Sequence, residues 1–168
     1  MIRTATPADA AAIAELKVRA WRAAYAEFMD LDGLDAAAET ADWAEYLDAI
    51  PGEHRLWVTV VDGEVAGFCR TGPATEDLDL GPAAGEVYGL YLDPARIGTG
   101  LGRELFAHAV SDLETRGHDP VCVYAYVPNT GAIAFYERAG FARDGVERLD
   151  EEIGVPEARL ARIVNKPR

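Results

Sequence analysis

The sequence predicts a mixed α/β fold in which helices flank one central, mostly antiparallel sheet. Runs of strand-forming residues alternate with segments of helical periodicity in the order β-α-α-β-β-β-α-β-α-β-β, which gives about seven strands and about four helices. The chain has 168 residues, close to the roughly 150 residues of an average domain. It contains no internal repeat and no linker-like stretch. We therefore predict that residues 1–168 form a single domain.

The first half of the chain predicts a strand, two helices and a β-hairpin. Residues 2–5 form a short apolar run, and Thr6 and the proline after it suit the start of a helix. A second helix is expected to end before Pro51. Residues 56–70 read as a hairpin because an Asp-Gly pair separates two strand-like runs. Residues 71–84 contain two Gly-Pro pairs and are predicted to form an exposed loop.

The second half predicts alternating strands and helices. Residues 86–92 read as a strand, and residues 99–116 read as a helix with apolar side chains on one face. A strand at 121–127 and a short helix at 128–140 follow. The last strand is expected at 158–164, after a polar loop.

The net charge of the chain indicates which kinds of molecule it can bind. The chain has 16 basic and 29 acidic residues, which gives a formal net charge of −13. Binding to nucleic acid or to an anionic membrane is not expected, because both need a basic surface. A cationic small molecule or a basic peptide is the more natural partner.

Redox, metal and targeting signals are also weak. Cys69 and Cys122 lie far apart in apolar runs and form no Cys-x-x-Cys motif, so we expect buried, reduced thiols. The three histidines lack metal-ligand spacing, and no metal site is predicted. The N-terminus lacks the apolar region of a signal peptide, and no apolar run approaches about 18 residues. We predict a cytoplasmic protein.

A glycine-rich turn is the first candidate for a ligand site. Residues 98–102 read Gly-Thr-Gly-Leu-Gly between a predicted strand and a predicted helix. Glycines let the backbone approach a ligand, and the free N–H groups of the first helical turn favour an anion such as phosphate. The dinucleotide motif Gly-x-Gly-x-x-Gly is excluded because Arg103 stands where the third glycine belongs, and no Gly-Lys-Ser/Thr exists for a Walker loop. A plain tight turn remains the alternative.

A second candidate follows one strand and one helix later. Asn129 ends the strand at 121–127 and can cap the next helix. It also lies at the same sheet edge as the glycine turn, where ligands of open α/β sheets collect. Tyr136 follows seven residues later, two helical turns on and nearly on the same face. The two elements together direct a phosphate loop, an amide and a phenol toward one crevice.

These motifs resemble those of the GNAT superfamily of N-acetyltransferases, and the resemblance covers essentially the whole chain. Residues 90–102 look like the family's acetyl-CoA motif, Gln/Arg-x-x-Gly-x-Gly/Ala, and residues 129–141 look like its second motif, Asn-x-x-Ala-x-x-x-Tyr-x-x-x-Gly-Phe. Residues 21–25 are similar to the opening of many bacterial members. Ile97 stands where the family has Gln or Arg. Its backbone N–H can still bind phosphate, which leaves Arg96 or Arg103 to supply the charge.

The resemblance implies acetyl-CoA as co-substrate, bound in a cleft between two splayed strands. Backbone groups of the strand that ends at Leu92 would hold the pantetheine arm and the thioester carbonyl. The cofactor-binding residues implied in this way are Leu90, Tyr91, Leu92, Ile97, Gly98, Thr99, Gly100, Leu101, Gly102, Arg103 and Asn129.

The resemblance also implies acetyl transfer to an amine, and direct transfer is preferred to an acyl-enzyme because the sequence offers no Ser/His/Asp set. Tyr136 takes the family's usual place for the acid that protonates the leaving thiolate, and Glu86 is our candidate base, acting directly or through water. Trp21, Tyr25 and Tyr88 are candidates for the acceptor pocket, where aromatic faces hold a cation. The alternatives are core packing for the aromatic residues and an exposed carboxylate for Glu86.

The sequence hypothesis is therefore an acetyl-CoA-dependent N-acetyltransferase of a small cationic amine such as a polyamine, an amino acid derivative or an antibiotic. A non-catalytic acyl-CoA-binding module on the same fold and a protein lysine or N-terminal acetyltransferase are the alternatives. Tyr124 stands where some protein N-terminal acetyltransferases of the family have Glu, which disfavours acetylation of protein N-termini. Many relatives pair, so a homodimer is compatible with the resemblance.

Overall fold

A computed structural model describes residues 1–163 and shows one seven-stranded sheet with helices packed on both faces. The strands are β1 (Ile2–Thr4), β2 (Arg55–Val61), β3 (Glu64–Pro73), β4 (Gly85–Leu92), β5 (Val121–Tyr126), β6 (Ala142–Asp150) and β7 (Val155–Arg162). The helices are α1 (Ala10–Tyr25), α2 (Ala36–Asp48), α3 (Leu101–Thr115) and α4 (Thr130–Arg138). The order of elements is the predicted one, and the predicted fold class is confirmed.

The strands lie in the order β1-β2-β3-β4-β5-β7-β6. All neighbouring pairs are antiparallel except β4 and β5, which run parallel. The parallel pairing joins Gly85–Val87 to Val121–Val123 and goes no further. Beyond it, β4 continues to Leu92 without pairing to β5. The two strands therefore diverge and leave a V-shaped gap in the middle of the sheet.

Two hydrophobic cores hold the helices against the sheet. Adjacent residues of a strand point to opposite faces, and Phe68 and Cys69 of β3 belong to different cores. Phe68 packs with α1 and α2, whereas Cys69 packs with α3 and α4. Burial on both faces explains why the central strands are mostly apolar. Cys69 and Cys122 are both buried and free, as predicted.

The ends of α3 and α4 lie within two residues of their predicted positions. Residues typical of helix ends mark both helices. Helix α4 begins after Asn129, whose side-chain oxygen accepts a hydrogen bond from the backbone N–H of Ala132 at 3.2 Å. Helix α3 begins after Gly100, which has a left-handed conformation with φ of 89°. Within residues 1–163 no helix combines the length and the apolarity needed to cross a membrane.

The prediction of an exposed loop at residues 71–84 is only partly correct, because the segment begins in a strand and some of its residues are buried. Strand β3 continues to Pro73, and Thr71 is fully buried. Asp77 is only 4% exposed because it forms an ion pair with Arg159 of β7 at 2.9 Å. Gly-Pro pairs indicate turns, but they do not predict an ion pair with a residue as distant in sequence as Arg159. That ion pair holds Asp77 against the sheet.

The final strand also differs from the prediction. It was expected at 158–164, but β7 runs from Val155 to Arg162 and pairs with both β5 and β6. The strand begins directly after Gly154, whose positive φ of 75° ends the preceding turn. Val164, the end of the predicted strand, lies outside the described residues.

Candidate active site

The divergence of β4 and β5 creates a cleft of about 320 Å³. Residues of α1, β4, α3, β5, α4 and β7 form its walls. Nine residues singled out from the sequence line it: Tyr25, Tyr88, Leu90, Tyr91, Leu92, Ile97, Gly102, Asn129 and Tyr136. The structure therefore brings the strand ends, the glycine turn and the short helix together, as the sequence motifs predict.

The glycine turn opens α3 beside this cleft. Gly100 provides no side-chain cap, and the first N–H groups of any helix lack carbonyl partners in the preceding turn. Gly98 has φ of 84°, and a Cβ atom added there would meet nothing within 4 Å. Arg96 and Arg103 flank the turn and form no ion pair among the described residues. Uncapped N–H groups, open space and two free cations fit a diphosphate.

The predicted cofactor residues play different structural parts. Leu90, Tyr91 and Leu92 pair with β3 along one edge and have no strand along the other, so their outer backbone groups are available to a ligand. Ile97 lies at the cleft with its side chain 67% exposed. Gly98, Thr99, Gly100, Leu101 and Arg103 form the turn and the first residues of α3, outside the cleft wall itself.

Gly102 and Asn129 also contribute to the fold itself. A Cβ atom on Gly102 would lie 2.7 Å from the side chain of Leu92, so this glycine allows α3 to pack closely on β4. Asn129 uses its side-chain oxygen to cap α4 and at the same time lines the cleft. Capping leaves the amide nitrogen of Asn129 available, so the two interpretations of this residue are compatible.

Tyr136 projects from α4 and is only 6% exposed. Its ring packs on Phe106 with 5.1 Å between centroids. Its hydroxyl forms no hydrogen bond with any other group in residues 1–163, although the residue lines the cleft. Burial raises the pKa of the phenol, so it is protonated at neutral pH.

Glu86 lies deeper, where β4 and β5 are still paired. It stands opposite Cys122 in the parallel ladder, is 6% exposed and does not line the cleft, although its neighbour Tyr88 does. Burial raises the pKa of its carboxyl to about 7, with the positive charge of Arg148 opposing and the negative charge of Asp77 adding to the shift. Arg148 Nη2 lies 4.0 Å from its carboxylate. A carboxyl with this pKa can both take and release a proton near neutral pH.

The three predicted acceptor-pocket residues do not share one environment. Tyr88 lines the cleft, and its hydroxyl donates a hydrogen bond to the carbonyl of Pro73. Tyr25 lines the cleft and packs edge-on against Tyr126 at 5.2 Å. Trp21 does not line the cleft: it packs behind Tyr25 at 5.2 Å, and Lys17 lies 4.7 Å from its ring.

Glu157 was missed by the sequence analysis. It is the only charged residue in the cleft wall among residues 1–163. Its Oε2 accepts a hydrogen bond from Arg148 Nε at 2.8 Å. The predicted strand began one residue too late to include it. The signal was the alternation of Glu157 and Arg159 with apolar residues, which places both charges on one face of a strand.

Ion pairs account for a buried polar cluster next to Glu86. Polar atoms of Asp77, Glu86 and Cys122 lie within 4.8 Å of one another, a spacing that could hold a metal ion. Arg159 already pairs with Asp77, and Arg148 with Glu86. Burial raises the pKa of the Cys122 thiol, which keeps it protonated. The cluster is better suited to arginine than to a cation, and the absence of a metal site remains a prediction.

Comparison with known sequence families shows to which family the chain belongs. The sequence model described as the acetyltransferase (GNAT) family matches residues 12–141, which include the glycine turn and the helix of Tyr136. The chain belongs to the GNAT family. The GNAT resemblance predicted from the two motifs is confirmed.

Sequence relatives cover the GNAT chain only in part. A protein named mycothiol acetyltransferase from Cellulomonas flavigena is 38% identical over 90 residues, which are 51% of this chain and 26% of that protein. A mycothiol acetyltransferase from Clavibacter sepedonicus shows similar figures, 40% over 86 residues. The chain thus spans about a quarter of the length of these relatives.

Solved GNAT structures share the fold over nearly the whole chain. A ribosomal-protein-alanine N-acetyltransferase from Brucella melitensis has a TM-score of 0.76 at 21% identity and covers 98% of this chain and 99% of its own. The PaiA N-acetyltransferase from Thermoplasma acidophilum, in complex with coenzyme A, has a TM-score of 0.72 at 15% identity over 95% and 96% of the two chains.

Proposed function

We propose that this GNAT protein transfers the acetyl group of acetyl-CoA directly to a primary amine of a small, cationic acceptor. The observation that carries the proposal is the gap between β4 and β5. It opens beside an uncapped helix N-terminus and is lined by a tyrosine hydroxyl without a partner. The relatives named acetyltransferases and the neighbour solved with coenzyme A support it.

The proposed site for the diphosphate of acetyl-CoA is the turn from Ile97 to Arg103. Its N–H groups and the partial positive charge of the α3 N-terminus attract an anion. The unpaired edge of Leu90–Leu92 then binds the pantetheine arm in the manner of an added strand. Acetyl-CoA supplies an acetyl thioester, whose reaction with the amine yields the amide and the CoA thiol.

Glu86 is the proposed base. An aliphatic ammonium with a pKa of about 10.4 must lose its proton before it can act as a nucleophile. Glu86 has a pKa of about 7, which leaves much of the carboxylate ionised at neutral pH. Because Glu86 lies behind the cleft wall, we propose that the proton reaches it through water beside Tyr88.

Tyr136 is the proposed acid. Its hydroxyl is protonated, lines the cleft and is not bound to another group of the described chain. We propose that it protonates the sulfur as the thioester is cleaved. A backbone N–H of the open β4 edge stabilises the oxyanion, a contribution of a few kcal/mol for such preorganised donors.

The acceptor end of the cleft favours a small molecule. The hydroxyl of Tyr88 donates to the carbonyl of Pro73, and that of Tyr124 donates to Asp77 at 2.5 Å, so both rings are fixed in the cleft wall. The cleft has a volume of about 320 Å³, which suits a small acceptor. This size supports the small-amine proposal.

A binding and turnover experiment tests the proposal. Acetyl-CoA at about a hundred times its Kd stabilises a protein by about 2.7 kcal/mol, so we expect a clear rise in Tm. Release of the CoA thiol is then measured with a panel of amines that includes diamines, amino sugars and amino acid amides. No rise in Tm at millimolar acetyl-CoA refutes the cofactor half of the proposal.

The same experiment separates the alternatives. Binding without turnover of any amine favours the non-catalytic acyl-CoA module, and turnover of peptides alone favours protein acetylation. The cytoplasmic location and a homodimer remain predictions, the second of which sedimentation in solution checks.

A further inference from the structure

We propose that Glu157 binds the ammonium group of the acceptor and makes the site selective for amines that carry no carboxylate of their own. This inference rests on the proposed function, since it assigns the acceptor end of the same cleft. Glu157 is the only charged group in the cleft wall within residues 1–163, and the wall contains no basic residue in that range.

One oxygen of the Glu157 carboxylate accepts a hydrogen bond from the protein, and the other does not. Its Oε2 accepts from Arg148 Nε at 2.8 Å, whereas its Oε1 has no hydrogen-bond donor in the described chain. The side chain is 14% exposed. Oε1 is therefore free to accept a hydrogen bond from a ligand. An ammonium in the cleft, with three N–H donors, can supply that hydrogen bond.

Arg148 does not cancel the negative charge at this end. Its one guanidinium is shared by Glu157, by Glu86 at 4.0 Å and by Glu76 at 3.6 Å. Three carboxylates therefore face one cation. Arg159, the next arginine, is already surrounded by three aspartates. The surplus of negative charge attracts a cation and repels an acceptor carboxylate.

Aromatic rings complete the subsite. Tyr88, Tyr124 and Tyr126 line the cleft with Glu157. Tyr124 is fixed by Arg148, whose guanidinium lies 3.6 Å from the ring centroid, and Tyr126 by a hydrogen bond to Asp150 at 2.9 Å. Fixed aromatic walls around one carboxylate suit an ammonium on an aliphatic or sugar carbon.

Putrescine and 4-aminobutyrate provide a matched test of this selectivity. Both present a primary amine on a four-carbon frame, but the far end is cationic in one and anionic in the other. We expect the wild-type protein to have the higher kcat/KM for putrescine. Ethanolamine against glycine repeats the comparison on a shorter frame.

Glu157→Gln is the decisive variant. Loss of a charge-assisted hydrogen bond should raise the KM for putrescine by about tenfold or more, with kcat within roughly twofold, and should reduce the preference over 4-aminobutyrate. Glu157→Asp should recover part of the affinity. Glu152→Gln, the same change at an exposed position in the turn after β6, is the control and should match the wild type.

The outcomes separate this inference from the proposed function. An unchanged KM in Glu157→Gln, or a wild-type preference for 4-aminobutyrate and glycine, overturns the role of Glu157 and leaves the acetyltransferase intact. A wild-type protein that acetylates no compound in either pair or in the amine panel counts against the proposed function itself. The rise in Tm with acetyl-CoA must persist in Glu157→Gln, which shows that the variant is folded.

Discussion

Tyr136 combines two properties that rarely occur together in a protein core. The residue is only 6% exposed, yet no group in the described chain donates a hydrogen bond to its hydroxyl or accepts one from it. A hydroxyl without a partner in a largely buried residue points to a functional reason. The cleft beside it provides one, because a ligand there can use the hydroxyl.

Replacement of Tyr136 by phenylalanine should separate catalysis from folding. Without the acid we expect kcat to fall by about 10²-fold or more. Stability should change by less than about 0.5 kcal/mol, because the hydroxyl makes no bond in the free protein. Steady-state kinetics and urea unfolding measure the two effects.

Tyr46→Phe is the matched control. It removes a tyrosine hydroxyl on α2, outside the cleft wall. We expect its kcat to equal that of the wild type. Equal kcat values for all three proteins would contradict the acid role.

Glu86 should control the pH dependence of both activity and stability. A base must be deprotonated, so kcat/KM should rise through an apparent pKa of about 7 as the pH increases. The ratio of wild-type to Glu86→Gln values removes the ionisation of the amine itself. A ratio that does not vary between pH 5.5 and 8.5, roughly the range where such a group titrates, would exclude Glu86 as the base.

Whereas kcat/KM should rise with pH, the contribution of Glu86 to folding stability should fall. The pKa of Glu86 is raised from 4.5 to about 7, so the folded state holds the proton more tightly than the unfolded chain does. The stability from this group is present below about pH 4.5 and is lost as the pH rises through 7. Glu86→Gln stays neutral, so it should exceed the wild type by about 1–3 kcal/mol at pH 8, with a smaller difference at pH 5.

The N-terminal turn of α3 depends on glycine for two different reasons. Gly100 adopts a left-handed conformation, whereas Gly102 allows α3 to approach Leu92. Gly100 is the N-cap residue and has no side chain, so the first N–H groups of α3 remain uncapped and open to a ligand. The element is therefore both a structural joint and a candidate anion site.

Gly100→Ala should weaken acetyl-CoA binding more than it weakens the fold. Gly117, just beyond the C-terminus of the same helix, has φ of 94° and open space around it, so Gly117→Ala is the matched control. Each variant should cost about 1–2 kcal/mol of stability from backbone strain. Titration calorimetry should show at least a tenfold rise in the Kd for acetyl-CoA only in Gly100→Ala. Equal Kd values in both variants would remove the turn from the binding site.

Contacts distant in sequence hold the acceptor end of the cleft together. Arg159 on β7 is 3% exposed and pairs with Asp77 and Asp79 after β3, and with Asp144 on β6. These pairs join the segment at residues 74–84 to the far half of the sheet. The cleft wall at Tyr124 depends on the same junction through its hydrogen bond to Asp77.

Arg159→Met should be strongly destabilising, by about 3 kcal/mol, because it leaves the buried carboxylate of Asp77 without a cation. The midpoint of urea unfolding measures the effect. Arg143→Met removes an ion pair in which both side chains are about half exposed, and it should cost less than about 1 kcal/mol. Similar losses in the two variants would mean that the junction contributes little.

The local patterns of the sequence predicted the fold class, the order of elements and the elements that meet at the cleft. Hydrophobic periodicity, the capping residue Asn129 and the glycine turn before α3 determine these features over short stretches of chain. The same patterns predicted that the glycine turn and Tyr136 approach one crevice, because parallel strands bring their carboxyl ends to one sheet edge.

Only the tertiary structure decided where charges and aromatic side chains finally lie. Trp21 and Tyr25 share one helix face, yet only Tyr25 reaches the cleft. Asp77 is buried because of Arg159, which is 82 residues away, and Glu157 lines the cleft because β7 pairs beside β5. Ion pairing and burial depend on partners that are distant in sequence, whereas periodicity and capping act within a few residues. For this reason the sequence determined the elements, and the packing of the sheet decided which charged side chains surround the cleft.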